Sequence, residues 1–334
     1  MAPIHYRKDS ERTLRRERNG KSFRYVGKNR KTVLLVSANR IKQLAIPPAW
    51  EDVVISPDPL DYIQAEGVDA RGRTQYIYHP EWVKRNREHK FNQMISFGER
   101  LPALRKAVRA HMRENSLTED RVLATVVWLL EHTFIRVGNA KYAEEDHSYG
   151  LTTMLEKHVE VKGSKMTFNF EGKSRVFHEL EITDPRVAKT VKECIDLPGY
   201  ELFQYLDENK IRKSINSEEV NRYLKKYTGA DFSAKDFRTW GGSVLAGDSF
   251  YKAGNAANKN DLKRKTADVI AIVSDHLGNT KSVCRKYYIH PVIFESYEKN
   301  ILVPHFKRSY ERKSVSKLGL SSEEYATWSL IKDS

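Results

Sequence analysis

The residue pattern changes near Pro80, and this change constrains the fold more than any other feature of the sequence. Before it, residues 22–78 contain short segments rich in β-branched and aromatic residues, which Gly, Pro, Asn and Asp separate. The segments are SFRYVG, TVLLVS, DVVIS, DYIQAEG and TQYIYH. They are typical of strands, whereas helical spacing of apolar residues dominates after Pro80. We therefore predict an α+β chain with a small β-rich N-terminal domain (1–80), a hinge (81–90) and a larger, mainly α-helical domain (91–334).

Local signals mark the ends of several elements. Residues 1–21 are polar and basic, which predicts a flexible or partly helical arm. Residues 46–50, IPPAW, cannot form a helix interior or a central strand, because two prolines fix φ and remove backbone donors. Pro80 suits the first turn of a helix. A further helix is predicted to begin at the cap Thr118 and to end at Gly138.

One β island interrupts the helices of the larger domain. Residues 158–182, HVEVKGSKMTFNFEGKSRVFHELEI, alternate apolar and polar side chains, with turns at Gly163 and Gly172. This alternation predicts a three-stranded antiparallel sheet. Helices are predicted to begin after it at Asp184, Ser217, Ser233 and Asn260.

The charge balance indicates a polyanionic partner. The formal net charge is +14, and the basic residues occur within patterned segments, among aromatic residues. We therefore expect the chain to bind nucleic acid and not a membrane. No apolar run approaches the length of a membrane-spanning helix, and the N-terminal residues lack the apolar stretch of a secretory signal. Cys194 and Cys284 form neither a CxxC pair nor a metal-ligand spacing, which predicts a reducing intracellular compartment.

Three basic residues could belong to a site, although each also has an ordinary structural explanation. Arg136 is predicted in the last turn of a helix, where it would complement the helix dipole. Lys173 is predicted at a hairpin tip within EGKS, where a solvated lysine is common. EGKS resembles the end of a phosphate-binding P-loop, but that motif requires Gly at position 167, which is Thr, and a following helix. Arg238, in KDFRTWGG, could be a surface arginine packed on Trp240.

Residues 276–291, HLGNTKSVCRKYYIHP, carry two adjacent tyrosines. The sequence predicts that one helix ends at Gly278 and that a short helix begins near Thr280 and carries Tyr288. Successive residues of a helix point about 100° apart, so only one of Tyr287 and Tyr288 can face a given group. Taken singly, either tyrosine is best explained by core packing.

The order of five residues is more informative than any one of them. They are Arg136, Lys173, Arg238, Asn279 and Tyr288. The segments around them resemble, in order and separation, the four catalytic segments of type IB DNA topoisomerases of the poxvirus, bacterial and giant-virus kind. Those segments are LLEHTFIRVGNAKYAEEDHSYGLTTM, FNFEGKSRVFHEL, KDFRTWGG and LGNTKSVCRKYYIHP. Residues 72–80, GRTQYIYHP, resemble the DNA-contacting strand of the family's N-terminal domain.

The resemblance implies a role for each matching residue. Tyr288 would be the nucleophile, and Arg136 and Arg238 would bind the scissile phosphate. Lys173 would be the general acid. Asn279 stands where poxvirus members carry His and would supply an amide donor. The residues implied to contact DNA are Gln75, Tyr76, Tyr78, Lys141 and Tyr142.

The resemblance also implies an activity. Type IB topoisomerases relax supercoiled duplex DNA by cleaving one strand, with a 3′-phosphotyrosine and a free 5′-hydroxyl as intermediates. The free end rotates and is religated without ATP, metal or any other cofactor. Two domains would close around duplex DNA as a clamp. The sequence carries no oligomer signal, so a monomer is the default expectation. The protein would act in the cytoplasm at the nucleoid or, if the chain is viral, in the virion.

Physical chemistry agrees with these implied roles. A phenol has a pKa of about 10, so it needs help to attack at neutral pH. Two guanidinium groups on the non-bridging oxygens would favour the phenolate and neutralise the extra charge of a pentavalent phosphorane. The 5′-oxygen is a poor leaving group without a proton, which a lysine on a flexible hairpin can deliver. The spacing of nine residues from Asn279 favours Tyr288 over Tyr287.

Two other classes of protein fit part of the sequence. A tyrosine recombinase shares the catalytic geometry and the Tyr-x-His ending, but recombinases usually carry a His-x-x-Arg segment, and Lys235 stands three residues before Arg238. Their N-terminal domain is helical, whereas this one is predicted to be β. A non-catalytic nucleoid protein would explain the charge but not five ordered catalytic residues.

Overall fold

The computed structural model describes residues 3–27, 35–311 and 319–334. The chain divides into two compact units, Met1–Lys90 and Phe91–Ser334. The first contains an antiparallel sheet and the second is mainly helical, which confirms the predicted α+β class. Residues 81–90 are helical, and a hinge there stays a prediction.

The first unit is built on a five-stranded antiparallel sheet with the order β2-β1-β3-β4-β5. The strands are β1 (Leu14–Asn19), β2 (Ser22–Val26), β3 (Glu51–Ile55), β4 (Ile63–Val68) and β5 (Thr74–Tyr78). Helix α1 (Leu35–Gln43) contributes Ile41 to a core with Val53, Ile55 and Ala65 of the sheet. Residues 46–50 lie outside helices and strands, as predicted.

Two predictions for this unit are wrong. The arm 1–21 is not flexible or helical throughout, because it contains β1, in which Arg16 pairs with Tyr25 of β2. The Arg16 guanidinium lies 4.2 Å from the centre of the Phe23 ring. The long basic side chain thus covers aromatic surface. The polar sequence of the arm gives no sign of this packing. Within TVLLVS, Leu35–Ser37 belong to α1 instead of a strand, and the other three residues lie outside the described ones. A short apolar run fits either element.

The second unit contains the predicted three-stranded antiparallel sheet, which confirms the β island. Its strands are β6 (Val159–Lys162), β7 (Lys165–Glu171) and β8 (Phe177–Thr183). A short pair that was not predicted follows, β9 (Gln204–Leu206) and β10 (Arg212–Ser214). Each of its strands has only three residues, which is too short to show alternation.

Helices form the rest of this unit. The first is α2 (Pro80–His111), which begins at the predicted proline and belongs to this unit from Phe91 onwards. The second is α3 (Glu119–Thr133). The following helices are α4 (Ala140–Asp146), α5 (Pro185–Ile195), α6 (Ser217–Thr228), α7 (Ala234–Ala253) and α8 (Lys259–Leu277). The last four are α9 (Lys281–Tyr287), α10 (Pro291–Glu298), α11 (Leu302–Glu311) and α12 (Ser322–Lys332). Most of the predicted starts are confirmed to within two residues, with caps at Thr118, Asp184, Asn216, Ser233 and Asn258.

The predicted end of α3 is wrong. The helix stops at Thr133, five residues before Gly138, because Phe134 adopts left-handed dihedral angles (φ 54°, ψ 17°) and caps it. The Phe134 ring lies directly on Gly241 of α7, where a Cβ atom would collide with it. A tertiary contact therefore ends the helix, and no local residue signals it.

Helix α7 joins the two cores of this unit. Phe237 and Trp240 belong to a core with α2 and α3, whereas Ala246 and Phe250 belong to a core with α8 to α12. Because α7 is buried between them, its middle turns are held firmly, and a polar side chain placed there has little freedom.

Candidate active site

Arg136 lies in a segment without regular secondary structure after α3 and not in a last helical turn as predicted. Its Nη2 donates to the Gly278 carbonyl at 3.1 Å and to Asn279 Oδ1 at 2.5 Å. The early cap at Phe134 releases this segment from the helix. The explanation of Arg136 by the dipole of α3 therefore fails, since its guanidinium binds the end of α8 instead.

Arg238 is buried in the middle of α7, with 4% of its surface exposed. This excludes a surface arginine packed on Trp240. Its Nη1 donates to the Phe134 carbonyl and its Nη2 to the Leu277 carbonyl at 2.6 Å. Nε is buried and has no hydrogen-bond partner among the described residues. The guanidinium therefore connects the ends of α3 and α8 and still has unused N–H groups.

Tyr288 lies against Arg238. It is the C-cap residue of α9 and not part of the helix itself, a small correction to the prediction. Its ring centre is 5.3 Å from Arg238 Cζ, and its hydroxyl is within hydrogen-bonding reach of the Arg238 guanidinium. A Cβ atom on Gly242 would lie 2.8 Å from the Tyr288 carbonyl, so this glycine lets Tyr288 approach α7. The neighbouring Tyr287 ring lies 5.2 Å from the ammonium group of Lys286.

Asn279 occupies the turn between α8 and α9. As predicted, α8 ends at Gly278, which is left-handed (φ 55°), and Thr280 caps α9. A guanidinium can only donate, so the Asn279 oxygen must face Arg136 and its amide nitrogen must point elsewhere. That Nδ2 atom is buried, and no described residue accepts a hydrogen bond from it. It is a donor available for a ligand.

The charges of the group formed by Arg136, Arg238, Asn279 and Tyr288 favour binding of an anion. Burial, and then the charge of Arg238, lower the pKa of Arg136 to about 10. Burial also lowers the pKa of Arg238. Neither guanidinium forms an ion pair with a carboxylate in the described parts of the chain. Two adjacent cations taken from water without a counter-ion would be stabilised by a bound phosphate.

Lys173 lies apart from this group. It is exposed and begins a 3₁₀ turn between β7 and β8, in which Ser174 and Arg175 have positive φ (66° and 58°). Strand β8 follows the turn, so the helix that a P-loop requires is missing. The preceding Gly172 lines a small cavity together with Arg136 and Arg238. The structure thus brings Lys173 to the rim of the group but into no contact with it.

His178, which lines the same cavity from β8, was not among the residues predicted from the sequence. Its ring stacks on Phe170 with centres 5.0 Å apart. Burial, then Arg136 and Arg238, lower its pKa. One signal could have found it: strand alternation places His178 on the same face as Leu180 and Ile182, which pack against the core.

The predicted DNA contacts differ in their surroundings. On β5, Tyr76 is 45% exposed, whereas Tyr78 stacks on Trp82 with ring centres 4.3 Å apart. Gln75 points to the opposite face of the strand and donates to Asp69 Oδ2 at 3.0 Å. The structure therefore does not group Gln75 with the two tyrosines.

The other two predicted contacts lie on α4. Tyr142 is 44% exposed. Lys141 is exposed and lies 3.9 Å from Glu145, one turn further along the helix. Both side chains are accessible, and their contact with DNA stays a prediction.

Both cysteines are free and buried. Burial raises the pKa of Cys194 to about 12 and that of Cys284 to about 11. In the described residues, no group of three or more His, Cys, Asp or Glu side chains could hold a metal ion. Among the described residues, none of the helices combines the length and the apolar character that a membrane span requires.

Comparison with known proteins identifies the family. Residues 80–314 match the family described as "Eukaryotic DNA topoisomerase I, catalytic core", and residues 22–69 match "Bacterial DNA topoisomerase IB, N-terminal domain". A relative named DNA topoisomerase 1B, from Acanthamoeba polyphaga mimivirus, is 30% identical over 296 residues, which cover 85% of this chain and 87% of the relative.

Two further relatives agree with this match. The DNA topoisomerase 1B of Vaccinia virus (strain Western Reserve) is 25% identical over 78% of this chain and 82% of its own length. DNA topoisomerase 1 of Schizosaccharomyces pombe is 28% identical over 64% of this chain and 25% of its own length. The chain therefore belongs to the type IB DNA topoisomerases, a family of enzymes.

Proposed function

We propose that this enzyme relaxes supercoiled duplex DNA by cleaving one strand through Tyr288. The Tyr288 oxygen would attack a backbone phosphate and form a 3′-phosphotyrosyl bond, and the 5′-oxygen of the other DNA segment would leave with a proton. Rotation of the free end and the reverse attack by the 5′-hydroxyl would complete the cycle. The phosphotyrosyl bond keeps the bond energy, so neither ATP nor a metal is required.

One observation carries this proposal. The Tyr288 phenol lies against the Arg238 guanidinium, beside Arg136, and neither arginine has a carboxylate partner in the described chain. A positive charge and a donated hydrogen bond stabilise a phenolate oxygen. The same two cations would hold the non-bridging oxygens of the phosphate that this oxygen attacks.

The arginines are held in place before DNA arrives. Backbone carbonyls fix both guanidinium groups. Arg238 donates to the carbonyls of Phe134 and Leu277, and Arg136 donates to the carbonyl of Gly278. Donors fixed in this way need little reorganisation as charge develops on the phosphorane, which is the main source of electrostatic catalysis. We propose that the free Nδ2 of Asn279 adds a third donor to the same oxygens.

Lys173 would supply the proton to the leaving 5′-oxygen. Its ammonium is exposed in the short turn between β7 and β8, one residue from the cavity that both arginines line. Such a position lets the side chain reach a leaving group at the rim of the site. A general acid of this kind typically contributes about 10²–10⁴ to the rate.

The first unit would bind DNA without taking part in the chemistry. It contains none of the five proposed catalytic residues, whereas Tyr76 and Tyr78 stand on its edge strand β5. We propose that it closes on duplex DNA as a clamp, that the enzyme acts as a monomer, and that it works where the DNA lies, at a nucleoid or in a virion. The five-stranded sheet does not favour a recombinase, for which a helical N-terminal domain was expected.

Plasmid relaxation tests the proposed function. Negatively supercoiled plasmid is incubated with the protein in EDTA without ATP, treated with protease and separated on an agarose gel. We expect a ladder of relaxed topoisomers at enzyme concentrations well below that of the plasmid. A non-catalytic DNA-binding protein would leave the linking number unchanged after protease, and that result would overturn the proposal.

A further inference from the structure

The His178 ring fills the space between two turns that carry proposed catalytic groups. A Cβ atom on Gly172 would lie 2.8 Å from both Cδ2 and Nε2 of this ring. At the adjoining edge of the ring, a Cβ atom on Gly278 would collide with Cε1 and would lie 3.2 Å from Nε2. Gly172 immediately precedes Lys173, and Gly278 immediately precedes Asn279. The imidazole is therefore in close contact with both turns at once.

Each of these contacts reaches a group of the proposed reaction. The Gly278 carbonyl accepts a hydrogen bond from Arg136, and the Asn279 oxygen accepts another. On the hairpin side, the Gly172 N–H donates to the Val176 carbonyl at 2.8 Å and closes the turn that contains Lys173. A shift of the ring would therefore alter the distance between the proposed general acid and the phosphate-binding groups.

The ring is held by packing and not by charge. It stacks almost parallel on Phe170, at an interplanar angle of 18°. Burial and the charges of Arg136 and Arg238 lower its pKa, which favours the neutral form of the ring. A neutral flat ring can approach the two arginines without adding a third positive charge.

We propose that His178 is a positioning residue that fixes the Lys173 turn against the Gly278–Asn279 turn, so that the general acid is held at the leaving oxygen. This inference rests on the proposed function. It assigns no proton transfer to the imidazole itself, which acts through Lys173. It predicts that loss of the ring mainly impairs protonation of the leaving group.

Two substrates distinguish a defect in positioning the general acid from a general loss of enzyme structure. Single-turnover cleavage is measured at a site mapped beforehand in a labelled duplex, once with an ordinary phosphodiester and once with sulfur in place of the 5′-bridging oxygen. The thiolate leaves without a proton and does not need the acid. We expect His178→Ala to slow cleavage of the ordinary substrate about tenfold or more, as partial loss of a general acid would, and to slow cleavage of the sulfur substrate less than about threefold.

His178→Phe keeps a flat neutral ring and should cleave both substrates at nearly the wild-type rate. Lys173→Ala is the reference for complete loss of the acid. Because both substrates are tested on one enzyme preparation, a partly unfolded variant would lose both activities together and could not mimic the expected selectivity.

A double-mutant cycle tests the contact itself. Gly172 has an ordinary φ of −96°, so Gly172→Ala carries no backbone strain. Its new Cβ would meet the His178 ring at 2.8 Å, and the next nearest atom is the Val176 carbonyl oxygen at 3.6 Å. Gly172→Ala alone should therefore reproduce the selective defect. In the His178→Ala background it should cause little further loss.

The outcomes are distinct. The positioning role would be overturned if His178→Ala slowed cleavage of both substrates equally, or if the effects of Gly172→Ala and His178→Ala were strictly additive. It would also be overturned if His178→Phe failed while His178→Gln kept full activity. If the wild-type protein forms no covalent adduct with either substrate, the proposed function itself fails. If wild type cleaves both substrates and the selectivity is missing, only this inference fails.

Discussion

Replacing Asn279 separates a role in binding the phosphate from a role in shaping the turn. The turn is held by the left-handed Gly278 and by the hydrogen bond from the Asn279 N–H to the Ser274 carbonyl, 3.1 Å. Both depend on the backbone alone and survive a change of the side chain. Asn279→Ala, Asn279→Asp and Asn279→His therefore change what faces the substrate while the turn is kept.

The expected magnitudes follow from the two ends of the amide. Asn279→Ala removes the free donor Nδ2 and the oxygen that holds Arg136. Loss of one transition-state donor costs about 3 kcal/mol, or roughly a 10²-fold slower reaction. Asn279→Asp keeps an acceptor for Arg136 but turns the donor into a charged oxygen that faces the phosphate, so it should be at least as slow. Asn279→His retains an N–H donor and should stay within about tenfold of wild type.

The assay is single-turnover cleavage of a labelled duplex at saturating enzyme, with DNA affinity measured separately by fluorescence anisotropy. Asn279→Ala and Asn279→Asp should lower the cleavage rate far more than the affinity. If both cleave within about threefold of wild type, the Asn279 side chain takes no part in binding the phosphate, and the reasoning from its buried Nδ2 is refuted.

Three further predictions concern other parts of the chain. Lys173→Ala should slow cleavage of an ordinary phosphodiester by at least about 10²-fold and largely recover with a 5′-bridging sulfur; equal loss on both would remove Lys173 from the acid role. Tyr76→Ala and Tyr78→Ala should weaken DNA binding without changing the cleavage rate at saturating enzyme, and an unchanged affinity would contradict the clamp. Burial lowers the pKa of His290 from 6.5 to about 4, so between these pH values the folded state binds fewer protons than the unfolded state. The free energy of unfolding should therefore decrease as the pH falls from 6.5 towards 4, by about 3 kcal/mol in all. His290→Asn keeps an acceptor for the Val292 N–H and should lack this loss in urea unfolding at pH 7 and pH 4.5; identical pH dependence would show that another group is responsible.

Local patterns predicted much of the fold because local interactions determine it. Alternation predicted β6 to β8, and side-chain caps such as Thr118 and Asp184 predicted helix starts. The errors arose where distant residues decide. Strand β1 exists because β2 and β3 pair with it, and α3 ends at Thr133 because Phe134 packs on Gly241, more than one hundred residues later.

The candidate site was predictable only in part for the same reason. The family resemblance selected Arg136, Arg238, Asn279 and Tyr288, but spacing does not show that Arg136 reaches across 143 residues to Asn279. It also does not show that Arg238 is buried and bound to two backbone carbonyls. His178 was not predicted because its proposed role depends on contacts with Gly172 and Gly278, which leave room for its ring. The sequence does not show that these glycines lie next to the ring.

The central claim is that Tyr288 and not Tyr287 attacks the DNA, and trapping of the covalent adduct tests it most directly. Tyr288→Phe and the matched control Tyr287→Phe are incubated with labelled duplex, stopped with SDS and separated on a denaturing gel. We expect Tyr288→Phe to bind DNA within a few-fold of wild type but to form no adduct and to relax no plasmid, whereas Tyr287→Phe forms the adduct. An SDS-stable adduct with Tyr288→Phe and none with Tyr287→Phe would contradict the account.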